Sequence, residues 1–286
     1  MTKINYISFA SWEDRFRESF FIDNKENEIN KGYIFYLDSF YTRSQDNINK
    51  IKNDNSIELI ELSFNDYVKT WKILKSTFMN LDKSYKYLIN ISTMPRSSMY
   101  MIFHFLDVNS IDYMTVYYNA KSHGGNNNKV ITKNPLEPRL VLQHSGVADT
   151  DKKTLLVILV GYDAKRVYQL FNYFEPYHVV IGIETNNQTD PLLEENEKEF
   201  HDISNKEIIH INSFEEGNIS TALETYVTPR LEDYNIILCS LGPKLSAIEL
   251  YKYNLKYPKT ALAYVASKDY DENYSRDINL DKYLIT

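Results

Sequence analysis

The chain has 286 residues, 43% of them hydrophobic and 25% charged, with a formal net charge of -7. That composition is globular rather than disordered, is long enough for two ordinary domains, and argues against a generally nucleic-acid-coated surface. One cysteine, Cys239, excludes an internal disulfide framework and a cysteine-based metal cluster, and fits a reducing, cytoplasmic compartment.

In chain order, residues 6–9 read as a short strand, Ser11 as the cap of a helix over 12–21, and 33–37 as the next strand. Residues 57–62 predict a third strand and 65–80 a long helix. Leu88-Ile89-Asn90-Ile91-Ser92 is a buried strand running into the turn Ser92-Thr93-Met94-Pro95-Arg96, which opens a helix leading to an aromatic strand over 114–118. The stretch 123–153 holds Gly124, Gly125, three asparagines, Pro135 and Pro138; it predicts a linker or strap with short strands near 129–132 and 139–143.

The order then repeats. Residues 155–160 form a continuous apolar run ending at Gly161, the signature of a parallel strand buried on both faces. Asp163 caps a predicted helix over 164–174, which Glu175-Pro176 stops; 179–183 and 207–211 follow as strands, and 218–231 as a helix. Residues 236–240 lead into the turn Ser240-Leu241-Gly242-Pro243-Lys244, a helix, and a strand over 261–265. Ser92 and Ser240, Pro95 and Pro243, and Arg96 and Lys244 all share one offset of 148 residues (240 − 92). The expected architecture is therefore α/β: two tandem Rossmann-like units with mainly parallel sheets, related by internal duplication. Its segments are a first half at 1–122, a linker at 123–153, a second half at 154–268 and a C-terminal tail at 269–286 that straps onto the body or frays.

A buried strand that turns into a helix is where α/β folds place ligands, and the helix N-terminus offers unpaired N–H groups and partial positive charge. Ser92 and Ser240 are expected at the cap positions, and proline at the first turn. Arg96 and Lys244 add cations where the helix dipole alone disfavours them, which predicts an anion nearby or a carboxylate of the same protein. Arg15 and Arg166, near the start of each half's first helix, are the next candidates for phosphate; salt bridging or solvation is the plainer reading of both.

These turns resemble the CRISPR-associated Rossmann-fold (CARF/SAVED-like) sensors of cyclic oligoadenylates, in which an Asn-hydrophobic-Thr-Gly-Gly-Thr-Lys strand end opens the ligand-facing helix. Asn90, Ser92, Thr93 and Arg96 match the Asn, hydroxyl and basic positions but lack both glycines. Ser240, Gly242 and Lys244 match with one glycine, and Leu238 stands at the Asn position. The resemblance implies an intracellular sensor, in prokaryotic antiviral defence, that holds a nucleotide or cyclic oligonucleotide between two such halves. Ser11, Arg15, Asp163 and Arg166 would complete the ligand set. With no effector domain visible, output would pass to a partner protein. Two alternatives stand beside it: an adaptor subunit that keeps the fold as a scaffold, and a metal-independent phosphodiesterase acting on the bound nucleotide.

No cofactor or metal is expected: the six histidines show no ligand spacing, and no GxGxxG, Walker A or GxSxG pattern occurs. His104, His210 and Cys239 read as packed, satisfied groups, and Glu194 to Glu199 as a solvated face. No run of about 18 apolar residues is present and the N-terminus lacks the apolar core of a secretory signal, so neither membrane insertion nor general nucleic-acid binding is expected.

Overall fold

The computed structural model describes residues 2–52, 54, 56–123, 132–162, 164, 166–186, 197–272 and 274–285. Asp163, the glycine and asparagine stretch at 124–131, and Glu194 to Asn196 lie outside the described residues. In order, the elements are β1 (Lys3–Phe9), α1 (Asp14–Glu26), β2 (Glu28–Leu37), α2 (Tyr41–Ile51), β3 (Ile57–Leu62), α3 (Tyr67–Met79), β4 (Tyr87–Asn90), α4 (Arg96–Val108) and β5 (Tyr113–His123). After them come β6 (Thr132–Pro135), β7 (Arg139–Leu140), β8 (Lys153–Val160), α5 (Arg166–Phe174), β9 (His178–Glu184), β10 (Lys206–Ile211) and α6 (Asn218–Tyr226). The chain ends with β11 (Tyr234–Leu241), α7 (Lys244–Lys256), β12 (Ala261–Tyr264), β13 (Ser267–Tyr270) and β14 (Ser275–Ile285).

Two compact units result, Met1–Gly124 with Glu272–Thr286, and Gly125–Asp271. The first is built on a sheet of order β14-β5-β4-β1-β2-β3, the second on β10-β9-β8-β11-β12-β7. Within each, five strands are parallel and run third-second-first-fourth-fifth, the Rossmann order, with one antiparallel strand closing the edge beside the fifth. The apolar runs read from the sequence are these strands: 155–160 is buried throughout, because helices cover both faces. In the first unit α1 and α2 pack on the face that carries Ile4, Tyr6 and Leu88. In the second, α5 packs on the face that carries Leu156, Ile158 and Val160.

Several local expectations change. The first helix begins at Asp14, not Trp12, and Ser11 is not its cap: Glu13 is the cap residue, and the Ser11 hydroxyl accepts the Glu13 N–H just outside the helix. Ser92 and Ser240 are not caps either. Pro95 and Pro243 occupy those positions in extended geometry, which their rings favour, and neither helix has a side-chain cap. Helix α2 carries little sequence signal, because Tyr41 to Ile51 is mostly polar and its buried apolar residues, Ile48 and Ile51, come only in the last turn. The segment expected to end as a strap contains an 11-residue strand, β14, paired antiparallel with β5.

Candidate functional site

Ligands on a sheet of this order sit outside the strands' carboxyl ends, between the first and fourth strands, where the connections diverge to opposite faces. The two units treat that crevice differently. In the first, β1 and β4 pair only from Asn5–Tyr87 to Ile7–Ile89. Beyond that they part, and the Thr93 hydroxyl, from the β4–α4 turn, donates to the Phe9 carbonyl at 2.7 Å in place of a ladder bond. In the second, β8 and β11 stay paired from Lys153–Tyr234 to Val160–Leu241. Gly161 and Gly242 then approach so closely that a Cβ on Gly161 would lie 3.2 Å from the Gly242 Cα. A side chain at Gly161 would fit there only tightly, so the two turns lie close together at this switch point.

Near the end of β4 and the β1–α1 loop the first unit holds Ser11, Arg15, Asn90, Ser92, Thr93 and Arg96, of which Ser11, Arg15, Asn90 and Ser92 are buried. Asn47 of α2 fixes the β1–α1 loop by donating to the carbonyls of Ser11, Trp12 and Glu13 at 3.1–3.2 Å. Arg15 is buried and committed: it pairs with Glu13 at 2.6 Å and donates to the Tyr118 carbonyl of β5 at 3.2 Å. Burial works against its charge, but Glu13 and Tyr117 outweigh it and hold the guanidinium above its ordinary pKa. Arg96 is the half-buried first residue of α4. Burial pushes the Tyr117 phenol up, while the charges of Arg15 and Arg96 pull it down, so both cations flank this ring.

Beneath the turn lies a closed hydrogen-bonded ring. Asp23 of α1 accepts from Asn90 Nδ2 at 2.7 Å; Asn90 Oδ1 accepts the Ser92 N–H at 3.0 Å. Ser92 Oγ accepts the Tyr118 N–H at 2.9 Å, and the Tyr118 hydroxyl returns to Asp23 at 2.7 Å. The Tyr6 hydroxyl adds a third donor to the carboxylate at 3.0 Å. Burial raises Asp23 to about 6, against the lowering effect of Tyr118, Asn90 and Tyr6.

Among the described residues the second unit has no counterpart to this ring. Asn90 faces α1, whereas Cys239 packs against the α5-side core, so Leu238, its strand neighbour, points to the opposite face. The offset that aligns the prolines therefore misaligns the strand faces by one residue, and the apolar Cys239 and Leu241 occupy the layer where Asn90 lies. Ser240 is buried with its hydroxyl 2.7 Å from that of Ser246, and Lys244 is the half-buried first residue of α7. Arg166 donates to the Val265 carbonyl at 2.5 Å. It ties the unit's first helix to the residue just past its fifth strand, whereas Arg15 reaches the middle of β5.

Sequence reasoning missed two features. Asp23 left a faint signal, an acid in the buried stripe Phe16, Ser19, Phe20, Asp23 of α1. The other is a clasp repeated in both units. Ser63 Oγ and the Phe64 N–H donate to Asp38 just after β2, while Ser213, through N–H and hydroxyl, donates to Glu184 at the end of β9. The Ser-Phe pairs that follow the third strands, 150 residues apart (213 − 63), were legible as a recurrence.

Among the described residues no group of histidine, cysteine or acidic side chains could hold a metal ion, and no helix is long and apolar enough to cross a membrane. No family model matches the chain, and no curated protein matches it. Among solved structures, the cytoplasmic domain of a prokaryotic cation chloride cotransporter aligns over 93% of this chain and 96% of that chain, at 7% identity and a TM-score of 0.27.

Proposed function

We propose that this chain binds an anionic nucleotide or cyclic oligonucleotide at the carboxyl edge of its first unit and passes the bound state to a partner protein. The observation that carries the reading is the parting of β1 and β4 at the topological switch point, with Thr93 and Arg96 on the turn beside it. The start of α4 contributes N–H groups and partial positive charge, and Arg96 supplies a formal charge suited to phosphate. Arg15 acts from beneath, holding β5 and Glu13 in place. The zipped crevice of the second unit supports a scaffold role for that half. The shared strand order and the repeated Ser-Phe clasp support descent of both units from one duplication.

Equilibrium titration with a panel headed by cyclic oligoadenylates and including mononucleotides tests this. Arg96→Ala is expected to weaken binding at least tenfold, as loss of a charge-assisted bond of about 1.5–3 kcal/mol requires, while Lys244→Ala leaves it within about twofold. If no anionic nucleotide binds the intact chain, or if Lys244→Ala alone abolishes binding, the reading is wrong.

A further inference from the structure

We propose that Asp23 is the positioning residue of the β4–α4 turn, setting the orientation of Asn90 and through it the backbone of Ser92, so that its protonation state regulates the crevice above. This rests on the reading of that crevice as the ligand site, although the ring itself is independent of any ligand.

An ionised carboxylate only accepts, so Asn90 must turn its amide nitrogen toward Asp23 and its oxygen toward the Ser92 N–H. That bond spans two residues and bends the chain out of β4 into the turn. Ser92 Oγ then takes the Tyr118 N–H, and the Tyr118 hydroxyl closes the circuit on Asp23. Three donors converge on a carboxylate that is 1% exposed. Elements on every side contribute: Tyr6 from β1, Asn90 from β4, Tyr118 from β5, and Lys282 of β14, whose charge favours the ionised form and which pairs with Glu26 on the same helix as Asp23.

The second unit makes the same sheet with an apolar layer at this level, so the architecture does not require a buried acid. A buried carboxylate is costly without full hydrogen bonding, and here it serves one turn of one unit, the turn where the pairing of β1 and β4 ends. Protonation removes the reason for Asn90 to hold its orientation. The bond to Ser92 then competes with the flipped amide, and the turn loosens. Burial places that event near pH 6, within reach of ordinary buffers.

The test is amide hydrogen exchange at Ser92 in the intact chain, divided by the intrinsic rate, between pH 5 and 7.5. Protection is expected to fall at least tenfold as pH drops through about 6. In Asp23→Asn it should be low and flat across the range. Tyr118→Phe removes one donor from the carboxylate but keeps the Asn90–Ser92 link, so its midpoint should move upward. It also covers the case in which Asp23→Asn fails to fold. Any nucleotide found by titration should lose affinity over the same interval in the wild type only. Ser92 protection that does not change with pH, or a Tyr118→Phe midpoint that does not move, overturns the proposal. Failure of every nucleotide to bind would overturn the function proposed above and leave the exchange result to decide this one.

Discussion

At the scale of single residues, the balance at Asp23 sets a measurable pH dependence of stability. Its carboxyl is raised from 3.8 to about 6 in the fold, so the folded state holds the proton more tightly than the unfolded chain does. The resulting contribution is fully present below the unfolded value and is lost as pH rises through about 6. A shift of this size corresponds to roughly 3 kcal/mol. Urea unfolding of the wild type and Asp23→Asn should therefore give a stability difference that moves by roughly 2 kcal/mol in the wild type's favour as pH falls from 7 to 4. A difference that stays constant would mean that Asp23 titrates normally. Asp23 was hidden from sequence reasoning because its partners Tyr6, Asn90 and Tyr118 lie on three separate strands, up to 95 residues away. Only the fold brings them within 3 Å. Arg15 and Arg166 show the opposite case. Salt bridging was the plainer reading of both, and Arg15 is indeed paired with Glu13, while each also reaches a backbone carbonyl at its fifth strand.

At the scale of elements, β14 shows how an edge is managed. An 11-residue β5 left unpaired would present a row of bare N–H and C=O groups, a template for aggregation. The returning chain covers it, with Tyr283 packed on Tyr117 and Lys282 paired with Glu26 of α1. Deleting residues 272–286 should destabilise the first unit selectively. Amide exchange in β5 should rise by orders of magnitude while β8 and β11 keep their protection, and the protein should self-associate in light scattering. Unchanged β5 protection would refute that role. The strand was illegible because Asp277, Asp281 and Lys282 break its alternation, and Asp277 adopts a positive φ of 55° beside an irregular register. Pairing with β5 decides its form, not propensity.

At the scale of the whole molecule, the units differ in how the chain supplies them. The second is continuous, Gly125–Asp271, with its own sheet and core; the first needs the C-terminal segment to complete its sheet. A fragment of residues 125–271 is therefore expected to fold alone, with a cooperative thermal transition by circular dichroism. A fragment of residues 1–124 should unfold at lower denaturant or aggregate. Equal behaviour of the two fragments would argue against β14 as an integral strand of the first sheet.

The sequence by itself determined the α/β class, the doubled order of strands and helices, and the two prolyl turns, because these follow from periodicity and local backbone chemistry. Composition also ruled out a disulfide framework. Only the tertiary structure decided that the two turns are unequal. Whether β1 and β4 part while β8 and β11 stay zipped depends on register between strands some 80 residues apart, and a shared offset is blind to it. A slip of one residue turns Asn90 toward α1 and Leu238 away from α5, because side chains alternate along a strand. The signature was legible; the crevice it borders is a property of the assembled sheet.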